Sequence, residues 1–263
     1  MSTKKLFLPF LLLLCLPYLF AEPISLHDKQ LTFLYTCSIR GKYAFDPQGS
    51  KGITTIGEIK RREAAVQGEQ NGLVLLFSNG NFLGQPISKQ TNYTYLSSLP
   101  FDGIFLSPQE LDVLEKTPPP KNLSIPFLAH RESLLYYPGE QVYKMGSYRI
   151  LITSIAKRRQ KKINRRRYDA TIVFLEEGEL PDESLKHLYN TPLIYIFSGR
   201  KKNRYSFQKN IYFAECPDSM EKVGKIQLSF RNGYLIRNHQ EFIFLNSNDR
   251  NHSWIEPYSA REK

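Results

Sequence analysis

Apolar residues along this chain gather in short, nearly unbroken runs. Those at 31–35, 73–77, 103–106, 125–129, 148–155, 170–175 and 193–197 have the length of strands, and unbroken runs of this length suit a sheet covered on both faces. Further strands are expected at 211–215, 225–230 and 241–245, with Arg231, Asn232 and Gly233 supplying a hairpin turn. Other stretches have helical composition. Residues 56–66 would place Lys60, Arg61 and Arg62 outward, residues 108–116 stop at the breaker Pro118, Pro119 and Pro120, and residues 182–189 form another helix. From Ser247 onward the pattern fades into a polar tail whose large apolar anchor is Trp254. The alternation of strands with helices predicts an α/β domain.

At 263 residues, 41% of them hydrophobic and 23% charged, the chain fits one compact domain better than two. Residues 1–21 stand apart. Lys4 and Lys5 precede an apolar run over 6–20 that is short for a spanning helix and carries Pro9 and Pro17, the pattern of an export signal. Ala21 suits cleavage and Leu19 does not, so an uncleaved membrane anchor stays open; lipidation at Cys15 is disfavoured by the bulky Leu14 before it. The expected division is a signal or anchor at 1–21, a domain at 28–246 and a tail at 247–263. The expected location is the periplasm or the outside of the cell, where the remaining Cys37 and Cys216 meet an oxidising environment; both a disulfide and two unpaired buried thiols stay open. Asn92, Asn122 and Asn251 head sequons that matter only in a eukaryotic secretory pathway.

The net charge of +11 is local in origin. Lys157, Arg158, Arg159, Lys161, Lys162, Arg165, Arg166 and Arg167 crowd into one connection, and without those eight and the two leader lysines the chain would carry +1. Such a run can draw nucleic acid, an anionic membrane surface or an acidic protein through its field and through counterion release. For an exported chain nucleic acid is disfavoured as a partner, and the favoured reading is a solvated, self-repelling connection between two strands.

Four of the apolar runs open into small or polar residues: LYTCSIRG at 34–41, LLFSNGNFLG at 75–84, DGIFLSPQELD at 102–112 and LIYIFSGRKKN at 193–203. Strand ends that open into loops are where α/β folds assemble active sites. In order and spacing the four resemble the motifs of the calcineurin-like metallophosphoesterases, in the branch of the bacterial periplasmic 5′-nucleotidases. LTFLYTCSIRG resembles that family's opening strand ending in Asp-x-His-Gly, and GLVLLFSNGNFLGQP the strand ending in Gly-Asp. FDGIFLSPQELD is similar to the segment ending in Gly-Asn-His-Glu, LIYIFSGRKKN to the closing Gly-His-x-His, and VGKIQLSF at 223–230 to the strand that follows. The resemblance covers residues 31–244 and implies a sandwich of two mixed β-sheets flanked by helices.

The frame is kept and the chemistry is not. The family's two metal ions are bridged by a carboxylate and held by imidazole, carboxylate and amide groups, so that a bound hydroxide attacks phosphorus. By the resemblance, Ser38 and Arg40 stand at the first aspartate and its histidine, and Asn81 at the bridging aspartate. Pro108 and Gln109 stand at the metal-binding asparagine and the histidine that assists the leaving group, Glu176 near a further histidine, and Arg200 and Lys202 at the closing pair. A neutral amide cannot balance two dications, and glutamine does not titrate near neutrality. None of His27, His130, His187, His239 and His252 falls at a ligand position. Gly41, Gly80, Glu110, Asp112 and Gly199 survive, and these shape turns and caps more than they catalyse.

Arg40, Arg200, Lys201 and Lys202 bring fixed positive charge to the place where the resemblance puts two cations, which disfavours metal a second time. Guanidinium and ammonium groups suit oxyanions instead, making Arg40, Arg200 and Lys202 candidate ligands of a phosphate, sulfate or carboxylate group. The competing reading leaves them solvated at the rim, with Glu110 and Glu176 as counter-charges. The sequence thus predicts an exported, non-catalytic phosphoesterase-like protein with a binding or scaffolding role and no cofactor. Two alternatives stay open: an active phosphoesterase or 5′-nucleotidase-like hydrolase with a divergent site, and polyanion binding through residues 157–167.

Overall fold

The computed structural model describes residues 28–37, 52–68, 72–80, 82–83, 93, 97, 100–122, 124–129, 137–154, 168–175, 192–197, 211–217 and 222–244. In chain order these contain β1 (Lys29–Cys37), α1 (Gly52–Gln67), β2 (Gly72–Asn79), β3 (Gly103–Leu106), α2 (Pro108–Lys116), β4 (Phe127–Ala129) and β5 (Glu140–Met145). There follow β6 (Tyr148–Ser154), β7 (Ala170–Phe174), β8 (Leu193–Phe197), β9 (Ile211–Glu215), β10 (Lys222–Arg231) and β11 (Tyr234–Phe244).

The strands form a six-stranded sheet in the order β11-β10-β1-β2-β3-β4 and a five-stranded sheet in the order β5-β6-β7-β8-β9. In the first, β1 to β4 run parallel while β10 and β11 add an antiparallel hairpin. In the second, β6 to β9 run parallel and β5 pairs antiparallel with β6. Both sheets are therefore mixed, as the sequence predicts.

Strand pleating explains the unbroken apolar runs, because alternate residues face two different cores. On β1, Leu31, Phe33 and Tyr35 enter the core between the sheets, whereas Leu34 enters a second core between the six-stranded sheet and the helices. In the inter-sheet core Phe174 of β7 meets Phe105 of β3 at a centroid distance of 5.1 Å, and Phe33 stacks on Phe77 at 5.2 Å. In the second core Ile56 and Ile59 of α1 and Leu111 and Leu114 of α2 cover Leu34, Leu76 and Ile104. Val173, Leu175, Leu193 and Tyr195 form a third cluster on the outer face of the five-stranded sheet.

Four details differ from expectation. The strand expected at 125–129 begins only at Phe127, preceded by Pro126, whose carbonyl accepts from Ile104 at 2.8 Å. β5 carries no apolar run; its exposed and half-buried positions alternate as befits an edge strand. β11 is eleven residues long, reaching back from the expected 241–245 to Tyr234, and its polar middle hid it. Lys60 does not simply point outward: its ammonium pairs with Asp102 at 2.7 Å and donates to the Pro100 carbonyl at 2.9 Å. The leader, the helix expected at 182–189, the basic run at 157–167 and the tail from 247 lie outside the described residues.

Candidate functional site

The parallel strands of both sheets end at one edge of the sandwich. Cys37 at the end of β1 is in register with Asn79 at the end of β2, which is in register with Phe105 of β3. In the opposing sheet Ser154, Phe174, Ile196 and Ala214 form the matching row across β6 to β9. Three links join the rows across the gap. Cys37 and Cys216 form a disulfide with their Cα atoms 5.9 Å apart. The Tyr35 hydroxyl donates to the Glu215 carbonyl at 2.9 Å, and the Asn79 amide donates to the Leu175 carbonyl at 3.3 Å. Of the two outcomes left open for the cysteines, the structure takes the disulfide.

The loop after β2 and the start of α2 are locked together. Ser107 is the N-cap of α2 and Glu110 completes a capping box, with Pro108 in the first turn, where its missing N–H costs nothing. The Glu110 carboxylate is only 2% exposed. It accepts from the Ser107 N–H and hydroxyl, both at 2.8 Å, and from the Leu83 N–H across the gap to the β2 loop. Burial pushes its pKa up, while donors from Ser107, Leu83 and Phe82 act in the opposite direction. Gly80 adopts a positive φ of 59° and its N–H donates to the Phe105 carbonyl at 2.7 Å. Gly80 and Phe82 are thereby fixed on either side of Asn81. The reading of Glu110 and Gly80 as shapers of caps and turns is borne out.

Of the site residues named from sequence, Pro108 and Gln109 are described. They sit in the first turn of α2, Pro108 half-buried and Gln109 exposed. Ser38, Arg40, Asn81, Glu176, Arg200 and Lys202 lie outside the described residues, as do the eight basic residues of 157–167. Their nearest described neighbours along the chain are Cys37, Gly80, Phe82, Leu175 and Phe197, and every one belongs to the edge just described. Asn79 was missed by sequence reasoning. It is 8% exposed, its Oδ1 has no hydrogen-bond partner among the described residues, and only its place in the pleat reveals that it faces the other sheet.

Pro108 offers no side-chain donor where the resemblance expects an amide, and the described residues contain no group of three His, Cys, Asp or Glu able to hold a metal ion.

The sequence matches no protein-family model and no curated protein. Comparison of the fold is informative. The chain is similar to a calcineurin-like phosphoesterase, YfkN, from Bacillus subtilis, with a TM-score of 0.55 at 13% identity over 86% of this chain and 93% of that one. The chain has the calcineurin-like metallophosphoesterase fold. With this fold it is also similar to a protein described as a 5′-nucleotidase from Staphylococcus aureus in complex with alpha-ketoglutarate, with a TM-score of 0.57 at 14% identity over 84% of this chain. A third likeness is to the sulfate thiohydrolase SoxB of Thermus thermophilus, with a TM-score of 0.56 at 10% identity over 82% of this chain. This chain spans 56% of the Staphylococcus protein and 57% of SoxB. In the metallophosphoesterase fold, the four motifs belong to strands whose ends lie together, the arrangement that the resemblance implied.

Proposed function

We propose that this chain is an exported, non-catalytic phosphoesterase-like protein that binds an oxyanion where its structural relatives carry out hydrolysis. The observation that carries this reading is the convergence of the described strand ends on one edge, where β1, β2, β3 and β8 lead into the four motifs that, by the resemblance, have exchanged their metal ligands. Ser38, Asn81, Pro108 and Gln109 are neutral, and Arg40, Arg200 and Lys202 are fixed cations. Cations in place of imidazoles oppose metal and favour phosphate, sulfate or carboxylate. Support for export comes from the signal-like leader and from the Cys37 and Cys216 disulfide, which suits an oxidising compartment.

Metal-free purified protein should bind inorganic phosphate saturably in titration calorimetry at fixed ionic strength, and the Arg40→Ala, Arg200→Ala double variant should not. Elemental analysis should find no stoichiometric zinc, manganese or iron. The likeness to phosphoesterases favours a second reading, an active hydrolase with a divergent site. Turnover of a generic phosphate ester with manganese, zinc or cobalt, lost on replacing Asn81 and Glu176 together by Ala, would establish that reading and remove the first.

A further inference from the structure

We propose that the Cys37 and Cys216 disulfide is a redox-operated latch on the site edge of the sandwich. When oxidised it holds the two sheets together where the candidate site is built, and when reduced it lets that edge loosen while the opposite edge stays closed. This concerns the strand ends themselves and does not depend on the oxyanion reading.

Position carries the inference. Cys37 is the last residue of β1 and continues the inward face of Phe33 and Tyr35, and Cys216 follows the last residue of β9. The bond therefore joins a central strand of one sheet to an edge strand of the other, across 179 residues of sequence, and does so at the site edge. Two polar links lie beside it among the described residues: Tyr35 to the Glu215 carbonyl at 2.9 Å and Asn79 to the Leu175 carbonyl at 3.3 Å. The Glu215 carbonyl directly precedes Cys216 and the Tyr35 hydroxyl lies two residues before Cys37, so loosening the bond frees both partners of one link together.

The opposite edge has ties of its own. The Tyr143 hydroxyl donates to the Asp102 carbonyl at 3.2 Å, and the Gly233 N–H donates to the Tyr148 hydroxyl at 3.2 Å. Tyr148 also packs on Phe230 at a centroid distance of 5.1 Å. None of these residues touches the disulfide. The site edge, by contrast, buries the Oδ1 of Asn79, which has no hydrogen-bond partner among the described residues and gains water when that edge opens.

The chemistry is thiol–disulfide exchange with a dithiol reductant. One thiolate of the dithiol attacks a sulfur of the bond, and its second thiolate resolves the mixed disulfide. Cys37 and Cys216 each leave as a thiol bearing one proton, and the reductant leaves as a disulfide. With Cys37 at 3% and Cys216 at 5% exposure, attack must await a local opening of the edge.

Hydrogen exchange on the full chain tests the latch, comparing the oxidised protein, the protein reduced with dithiothreitol and alkylated, and a Cys37→Ala, Cys216→Ala variant. At labelling times short against global unfolding, so that only local opening is read, peptides covering 31–37, 75–80 and 211–217 should exchange about ten-fold faster or more without the bond, while 143–150 and 228–236 should stay within about two-fold. Equal acceleration everywhere would show that the bond supports the whole fold and is no latch. Unchanged exchange at the site edge would show that the other contacts suffice. If the double variant does not fold, the reduced wild-type protein gives the answer, and loss of all protection on reduction overturns the proposal.

Discussion

Glu110 shows how a single side chain holds two motifs in place. Its carboxylate serves the N-cap of α2 and the backbone of the β2 loop at once, so Glu110→Ala leaves several buried N–H groups without an acceptor. We expect a loss of about 3 kcal/mol in chemical denaturation, the range for orphaned buried donors plus a lost cap. Its pH dependence has a definite sign. Burial raises the folded-state pKa above the ordinary value of 4.5, so between the two values the folded chain holds more protons than the unfolded one. Stability therefore rises as pH falls from the raised value towards 4.5, relative to a Glu110→Gln variant that cannot titrate, and unfolding curves of both across this window would check it. Gly103 makes a different argument: a Cβ there would fall into the Phe77 ring and against Leu128. Gly103→Ala should cost about 1–3 kcal/mol through forced repacking of the inter-sheet core, read from the denaturation midpoint. Glu110 was legible as a residue retained in the resembled motif, while its capping box with Ser107, though local in sequence, was found only in the structure. Asn79 was not legible, since an amide at the end of an apolar run looks like a turn residue until the pleat and the second sheet are known.

Among the elements, strands buried on both faces were legible, and of the edge strands β9 was legible in full while β5 was missed and β11 was seen only in part. β1, β2, β3, β7 and β8 face one core on each side, so most of their positions are apolar and the run declares itself. β5 and β11 are edges with one poorly covered face, and Tyr234 at 74% and Ile236 at 47% exposure lie in a stretch that reads as polar loop. The hairpin before β11 was nonetheless visible in Asn232 and Gly233, whose φ values of 51° and 84° meet the demand of a two-residue turn for positive φ at both positions. Replacing Gly233 by Val should therefore destabilise the hairpin by about 1–2 kcal/mol, detectable as lowered thermal stability. β6 and β7 are parallel neighbours, and the sequence between them holds the basic run. Exchanging its eight Lys and Arg residues for Ser and Gln should leave the melting temperature within a few degrees, since both flanking strands pair without it. The same variant should lose any salt-dependent retention on heparin, whereas a large drop in soluble yield would show that the run pairs internally.

For the molecule as a whole, two kinds of connection hold the sheets together, and they act on different states of the chain. The inter-sheet core acts on the folded state: Phe33, Phe77 and Phe105 pack against Phe174, and this contact persists whether or not the cysteines are joined. Beyond its hold on the site edge, the disulfide acts on the unfolded state, closing a loop across 179 residues that an open chain would be free to expand. In the loop-entropy account a closure of this length contributes about 5 kcal/mol. A fold held by the core alone would keep its cooperativity on reduction and lose stability while its structure loosens only at the site edge. The Cys37→Ala, Cys216→Ala variant should accordingly unfold in one transition at a lower denaturant midpoint, with a somewhat steeper slope because its unfolded chain exposes more surface. Two separated transitions would mean that the sheets fold independently and that the bond, more than the aromatic core, makes them one unit. An unshifted midpoint would mean that strain or residual unfolded-state structure cancels the entropic gain. Either result would relocate the stability of this sandwich away from the balance of core and cross-link argued for here.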